Sequence, residues 1–155
     1  MKEIAISVII PTYNRKKLIL RCLEHLAAST LGYEAFEVIV VDDCSNDGTD
    51  EVLNKYNKIK NSKYLKTKEN TGGASIPRNI GIQTASGKYV YFIDADDYIE
   101  SNTLEDALSY AQLNNSDILC MPMWSDGRSP AQSMYKVSDP QVDLSKSKLI
   151  RNLTV

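Results

Sequence analysis

Tyr89-Val90-Tyr91-Phe92-Ile93-Asp94-Ala95-Asp96-Asp97 joins an apolar run to three carboxylates packed into four positions. The run reads as a buried strand. Three like charges at a strand's end repel one another unless something positive joins them. A divalent cation with oxygen ligands, held against a phosphate-bearing substrate, is one solution. A solvated acidic turn that caps a following helix is the other. The segment alone does not choose between them.

Outward from this segment, strands and helices alternate. Strands are expected at 4–10, closed by Pro11, and at 36–41, 64–67, 88–93 and 117–121. The first helix is expected over 15–28, where Leu18, Cys22, Leu23 and Leu26 recur at helical spacing. A short helix over 47–56 takes Asp47 or Thr49 as its cap. Gly72-Gly73 turns the chain into a helix over 75–85, with Pro77 in the first turn, where its missing N–H costs little. Ser101 caps a helix running to Asn114. Beyond Pro122 the pattern fades into a loop over 126–140 and a terminal helix over 144–153. The expected fold is therefore α/β, a Rossmann-like, mostly parallel sheet with helices on both faces.

In such sheets ligands lie beyond the carboxyl ends of the strands. Each polar cluster of this chain follows a strand: Pro11-Thr12-Tyr13-Asn14 the first, Asp42-Asp43 the second, Asp94-Ala95-Asp96-Asp97 the fourth. Three clusters on one rim favour a binding site over loop chemistry.

Composition narrows the class. The 155 residues suffice for one domain with a real core. A net charge of −2, without a basic face, disfavours nucleic acid. Cys22, Cys44 and Cys120 are odd in number and lack CxxC spacing, which fits reduced thiols and a cytoplasmic location. No apolar run approaches a membrane span. Peripheral membrane association would fall to parts outside this chain.

Neither GxGxxG after the first strand nor GxxxxGK[ST] is present, which argues against a dinucleotide fold and a P-loop. The lone His25 reads as a structural residue of the first helix. A receiver-like phosphoacceptor domain, or another non-catalytic nucleotide-binding module, is the rival from a different class. Its acidic pair, however, would follow the first strand, and here Asp42-Asp43 follows the second.

Taken together, Val8 to Arg15, Val40 to Thr49, Asn70-Thr71-Gly72-Gly73, Pro77 to Gly81 and Gly87 to Asp97 resemble family 2 glycosyltransferases of the GT-A fold. The resemblance spans about residues 4–120, in the family's order. With Gly127-Arg128-Ser129 and Gln132-Ser133-Met134 added, the chain looks like the wall teichoic acid N-acetylglucosaminyltransferases of Gram-positive bacteria. Those enzymes transfer from UDP-GlcNAc to poly(ribitol phosphate).

This resemblance implies a metal-dependent, inverting hexosyltransferase with a UDP-sugar donor and a glycan or polyol-phosphate acceptor in the cell envelope. It implies that Pro11, Thr12 and Tyr13 wall the uracil pocket, with Tyr13 able to stack on the base. Asp43 accepts the uracil N3–H, a choice over Asp42 that rests on the family pattern. Asn70 adds a polar contact to the base. Arg78 reaches the ribose or diphosphate, and Asp94 bonds the ribose hydroxyls. Asp96 holds Mn²⁺ or Mg²⁺, with Asp94 and Asp97 as further candidates. The family's base is an Asp or Glu in a downstream Glu-Asp pair. No such pair follows Ala111, where Asp117, Asp126, Asp139 and Asp143 stand alone. The resemblance thus divides the chain into a nucleotide-sugar-binding half over 1–122 and the start of an acceptor-side region over 123–155. The chain reads as part of a longer protein, with no catalytic residue of its own.

Overall fold

The computed structural model describes residues 3–121. The loop expected at 126–140, the helix at 144–153, Gly127 to Ser129, Gln132 to Met134, and Asp126, Asp139 and Asp143 lie outside the described residues. Residues up to Ile118 belong to one compact unit.

Eight elements alternate as the apolar periodicity requires: β1 (Ile6–Thr12), α1 (Lys16–Ala27), β2 (Phe36–Asp42), α2 (Thr49–Lys55), β3 (Ser62–Lys66), α3 (Ser75–Thr84), β4 (Tyr89–Phe92) and α4 (Thr103–Asn114). The strands form one parallel sheet in the order β3-β2-β1-β4. The two central strands are buried at every position, which explains their unbroken Ile and Val runs.

Side-chain alternation divides the core between the two faces. On one face Val8, Ile10, Val38 and Val40 pack with Ile19, Cys22, Leu23 and Leu26 of α1, Leu53 of α2 and Leu104 of α4. The opposite face carries Ile9, Ile39 and Val41, also buried, and α3 packs there against β1. Gly81 allows that approach, because a methyl group at its position would collide with the Ile9 side chain. Gly81→Ala therefore destabilises the fold by about 1–2 kcal/mol despite its better helix propensity. A denaturant midpoint equal to or above that of the parent would contradict this close packing.

Four expectations change. β1 continues through Pro11 to Thr12. Its pairing with β4 ends at Ile9↔Phe92, so Pro11 lies beyond the β4 ladder, where a missing N–H is tolerated. No strand forms at 117–121. β4 pairs only with β1 among the described residues, and a strand without a ladder partner cannot satisfy its backbone. The residue bounding α4 is Asn102 rather than Ser101, and it makes no side-chain cap bond. At α2 the bounding residue is Gly48, with φ 81°. Asp47 nonetheless accepts the Thr49 N–H at 3.0 Å, as a capping carboxylate would.

Candidate functional site

The loops after β1 and β2 are latched together at the carboxyl rim of the sheet. Asn14 and Cys44 both adopt positive φ, 51° and 62°, which turns the chain sharply out of each strand. The Asn14 N–H donates to Ser45 Oγ at 2.8 Å, and the Asn46 N–H donates to Asn14 Oδ1 at 2.9 Å. Lys16 N–H reaches Asp47 Oδ2 at 3.1 Å. Hydrogen bonds to the Asp47 carboxylate outweigh its partial burial and hold its pKa below the ordinary value.

The acidic pair splits in two directions. Asp42 is fully buried. It accepts the Ser45 N–H at 3.0 Å, a short bond from Ser45 Oγ, and the Tyr64 hydroxyl at 2.9 Å. Burial, followed by that bond and the Asp42 charge, pushes the Tyr64 hydroxyl well above its ordinary pKa. Asp42 is thus a structural anchor, and Asp43 is the member that borders the cleft. Both Asp43 oxygens receive the Thr71 N–H, at 3.0 and 2.9 Å, and Thr67 Oγ1 donates to Oδ1 at 3.2 Å. A carboxylate has about four lone-pair sites, so acceptor capacity remains for a ligand.

The cleft has a volume of about 440 Å³. Of the residues expected there, Pro11, Thr12, Tyr13, Asp43, Asn70, Asp94 and Asp96 all border it. They come from the carboxyl end of β1 and the segments that follow each of the four strands, brought together because the parallel strands end on one rim. Tyr13 is 44% exposed, which leaves its ring available for stacking. Asn70 ties its loop to the end of β2. Its amide N–H donates to the Asp43 carbonyl at 3.2 Å, and its side-chain oxygen accepts the Gly72 N–H at 2.9 Å.

Arg78 and Asp97 do not border the cleft. Arg78 Nη2 donates to Asp94 Oδ1 at 2.5 Å and aims that carboxylate from α3. Asp97 carries a raised pKa, chiefly through burial and then through the negative charge of Asp96 and Asp94, with Arg21 opposing. The three carboxylates of the 94–97 turn thus stand close enough to feel one another, with Arg15, Arg21 and Arg78 beside them. Asp96 is half-exposed, with Arg15 Nε 3.7 Å away. Among the described residues no cluster of three or more His, Cys, Asp or Glu forms a ready-made metal cage. A cation that takes one or two protein carboxylates and completes its shell with phosphate oxygens needs no such cage. The oxygen-only donors of Asp96 and its neighbours fit such an ion.

Arg15, on the cleft wall, and Arg21, behind the acidic turn, were not expected in these places. Arg15 opens the basic run Arg15-Lys16-Lys17 directly after the first polar cluster, which was a readable signal. Arg21 had none, because its partner lies 75 residues away. The Thr71 N–H is backbone and carries no sequence signal at all.

The sheet order and its rim cleft are the architecture of the GT-A glycosyltransferases. A family model, Glycosyl transferase family 2, matches residues 7–147, and the chain belongs to that family. The receiver-like alternative falls with this assignment. The chain is 42% identical over 149 residues to the poly(ribitol-phosphate) beta-N-acetylglucosaminyltransferase TarS of Staphylococcus aureus, covering 96% of this chain and 26% of that one. It is 39% identical over 150 residues to a poly(ribitol-phosphate) beta-glucosyltransferase of Bacillus spizizenii, covering 96% and 24%. The crystal structure of S. aureus TarS 1-349 in complex with UDP-GlcNAc matches at a TM-score of 0.82 and 42% identity, over 93% of this chain and 42% of that one. A mannosyltransferase from Pyrobaculum calidifontis in complex with GDP-Man and Mn²⁺ matches at 0.64 and 27% identity, over 72% and 33%. The chain spans about a quarter of the length of these two curated relatives. Among the described residues no helix is long and apolar enough to cross a membrane.

Proposed function

We propose that this chain is the donor-binding part of a cytoplasmic glycosyltransferase that takes a UDP-sugar, UDP-GlcNAc in first place, for transfer to a polyol-phosphate polymer of the cell envelope. The observation that carries the proposal is the single rim cleft bordered by Tyr13, Asp43, Asp94 and Asp96. The TarS relative supports the donor and the acceptor class. The domain division at about residue 122 belongs to the same reading, with residues 1–122 holding the nucleotide sugar and the acceptor side lying beyond.

In this reading the uracil ring stacks on Tyr13 between the Pro11-Thr12 end of β1 and the 70–74 loop. Asp43 accepts the N3–H, which cytosine lacks. Asn70 shapes the 70–74 loop through two backbone bonds, and the amide hydrogen and lone pair left over make the polar contact to the base. Asp94, oriented by Arg78, bonds the ribose hydroxyls. The Arg78 guanidinium also places positive charge near the diphosphate. Asp96 holds Mn²⁺ or Mg²⁺, with Asp94 and Asp97 supplying further negative charge. When bound, the cation neutralises the charge that the departing UDP gains as the sugar bond breaks. Proton removal from the acceptor hydroxyl requires a base, and no residue bordering this cleft is assigned to it.

Calorimetric titration tests the proposal. UDP binds more tightly in Mn²⁺ than in chelator, and CDP binds more weakly than UDP. Asp43→Asn lowers UDP affinity about tenfold or more, the scale of a lost hydrogen bond to a charged acceptor. A chain that does not bind UDP at all, or binds CDP equally well, refutes the assignment.

A further inference from the structure

Between β4 and α4 the chain runs from Ile93 to Asn102 without helix or strand. This segment carries the acidic turn, and its backbone carbonyls must find partners elsewhere. Residues in and just after α1 supply three. Arg21 Nη2 donates to the Asp96 carbonyl at 2.6 Å. His25 Nδ1 lies 3.0 Å from the Ile99 carbonyl. A carbonyl only accepts, so Nδ1 carries the proton. Thr30 donates to the Ser101 carbonyl from its N–H at 2.8 Å and from Oγ1 at 3.3 Å. Ile93, Ala95 and Ile99 are buried and anchor the apolar side of the segment.

Arg21 and His25 are four residues apart, hence on one face of α1. Tyr98 lies between them. Its ring centroid is 4.8 Å from the Arg21 guanidinium carbon and 4.5 Å from the His25 ring. A cation over an aromatic face and a charge-assisted hydrogen bond together restrain the Arg21 side chain. Its donor meets the peptide carbonyl of the very residue whose carboxylate borders the cleft.

We infer that Arg21, backed by Tyr98 and His25, is a positioning residue that holds the Asp96 carboxylate in its metal-binding place and so sets the affinity for the cation. This rests on the reading of Asp96 as the metal ligand. Partners outside a metal's immediate shell commonly change metal affinity 10- to 100-fold when removed.

The test titrates Mn²⁺ into the chain in saturating UDP, and separately UDP into the chain without metal. Arg21→Met keeps the aliphatic cover over Tyr98 but loses the donor. It weakens Mn²⁺ binding about 10- to 100-fold while metal-free UDP affinity and the melting temperature stay near those of the parent. Arg21→Lys, which retains a cationic donor, recovers most of the loss. Arg21→Leu, which also lacks a donor, replaces Arg21→Met should the latter not fold. Undiminished Mn²⁺ binding in Arg21→Met overturns the inference, as does a parallel loss of metal-free UDP binding or of thermal stability. Asp96→Ala run alongside separates the two levels. If it abolishes the Mn²⁺ response and Arg21→Met does not, only the positioning role falls. If the parent chain shows no Mn²⁺ response, the metal assignment falls with it.

Discussion

Asp96→Ala is expected to erase the Mn²⁺ dependence of UDP binding, leaving the same affinity with metal and with chelator. The loss in Mn²⁺ should reach about 100-fold, at or above the upper end of what removal of a supporting partner costs. The reason is local. Asp96 borders the cleft with a half-exposed carboxylate, and Arg15, Arg21 and Arg78 stand beside its turn. Folding should not suffer, since the side chain is exposed and its removal relieves repulsion on Asp97. The pKa of Asp97, raised by burial and by its acidic neighbours, should move back toward its ordinary value. Calorimetry with and without Mn²⁺, paired with a thermal melt, reads both effects. Persistence of a metal response in Asp96→Ala would move the ligand to Asp94 or Asp97.

Glu37→Gln is expected to cost about 3 kcal/mol of stability at pH 7 and to leave the cleft intact. Glu37 lies in β2 near the end opposite the cleft and is 3% exposed. One oxygen accepts from Ser7 Oγ, Ser86 N and Ser86 Oγ, each at 2.7 Å. The other pairs with Lys63 Nζ at 2.8 Å. Burial alone would raise this carboxyl's pKa. The Lys63, Ser86 and Ser7 bonds overcome it and bring the value from 4.5 down to about 2. A carboxylate held that far down contributes about 3 kcal/mol to folding at neutral pH. Glutamine would turn an NH₂ group toward donors and leave the network unsatisfied.

The sign of the pH dependence follows from the lowered value. The contribution is fully present above the unfolded pKa near 4.5 and is lost as pH falls toward about 2. The gap in melting temperature between parent and Glu37→Gln, about 10 °C at pH 7 for a domain of this size, should therefore close between pH 4.5 and 2. A gap that stays constant across that window would exclude a charge-based role for Glu37.

Much of this protein was readable in one dimension. The alternation of Ile- and Val-rich runs with amphipathic stretches determined the α/β fold, because burial on both faces demands that pattern of a parallel sheet. The polar clusters after β1, β2 and β4 determined the rim, because ligands gather beyond the strand ends. A strand at 117–121 was legible as apolar character and still did not form. Hydrophobicity can mark a segment for burial, but a strand also needs a neighbour.

Division of labour inside the clusters was decided only in three dimensions. Asp42 and Asp43 are chemically identical. The Ser45 and Tyr64 bonds turn one inward, while Thr71 holds the other at the cleft. Asn70 borders the cleft while bonding the Asp43 carbonyl and the Gly72 N–H, and Arg78 aims Asp94. Arg21 carried no local signal, yet it holds the backbone of the acidic turn. The sequence by itself determined which chemistry collects at the rim, since strand burial and strand ends are local properties of the chain. Which carboxylate faces the cleft, and which cation holds it there, depended on partners tens of residues away, and only folding brings those into contact.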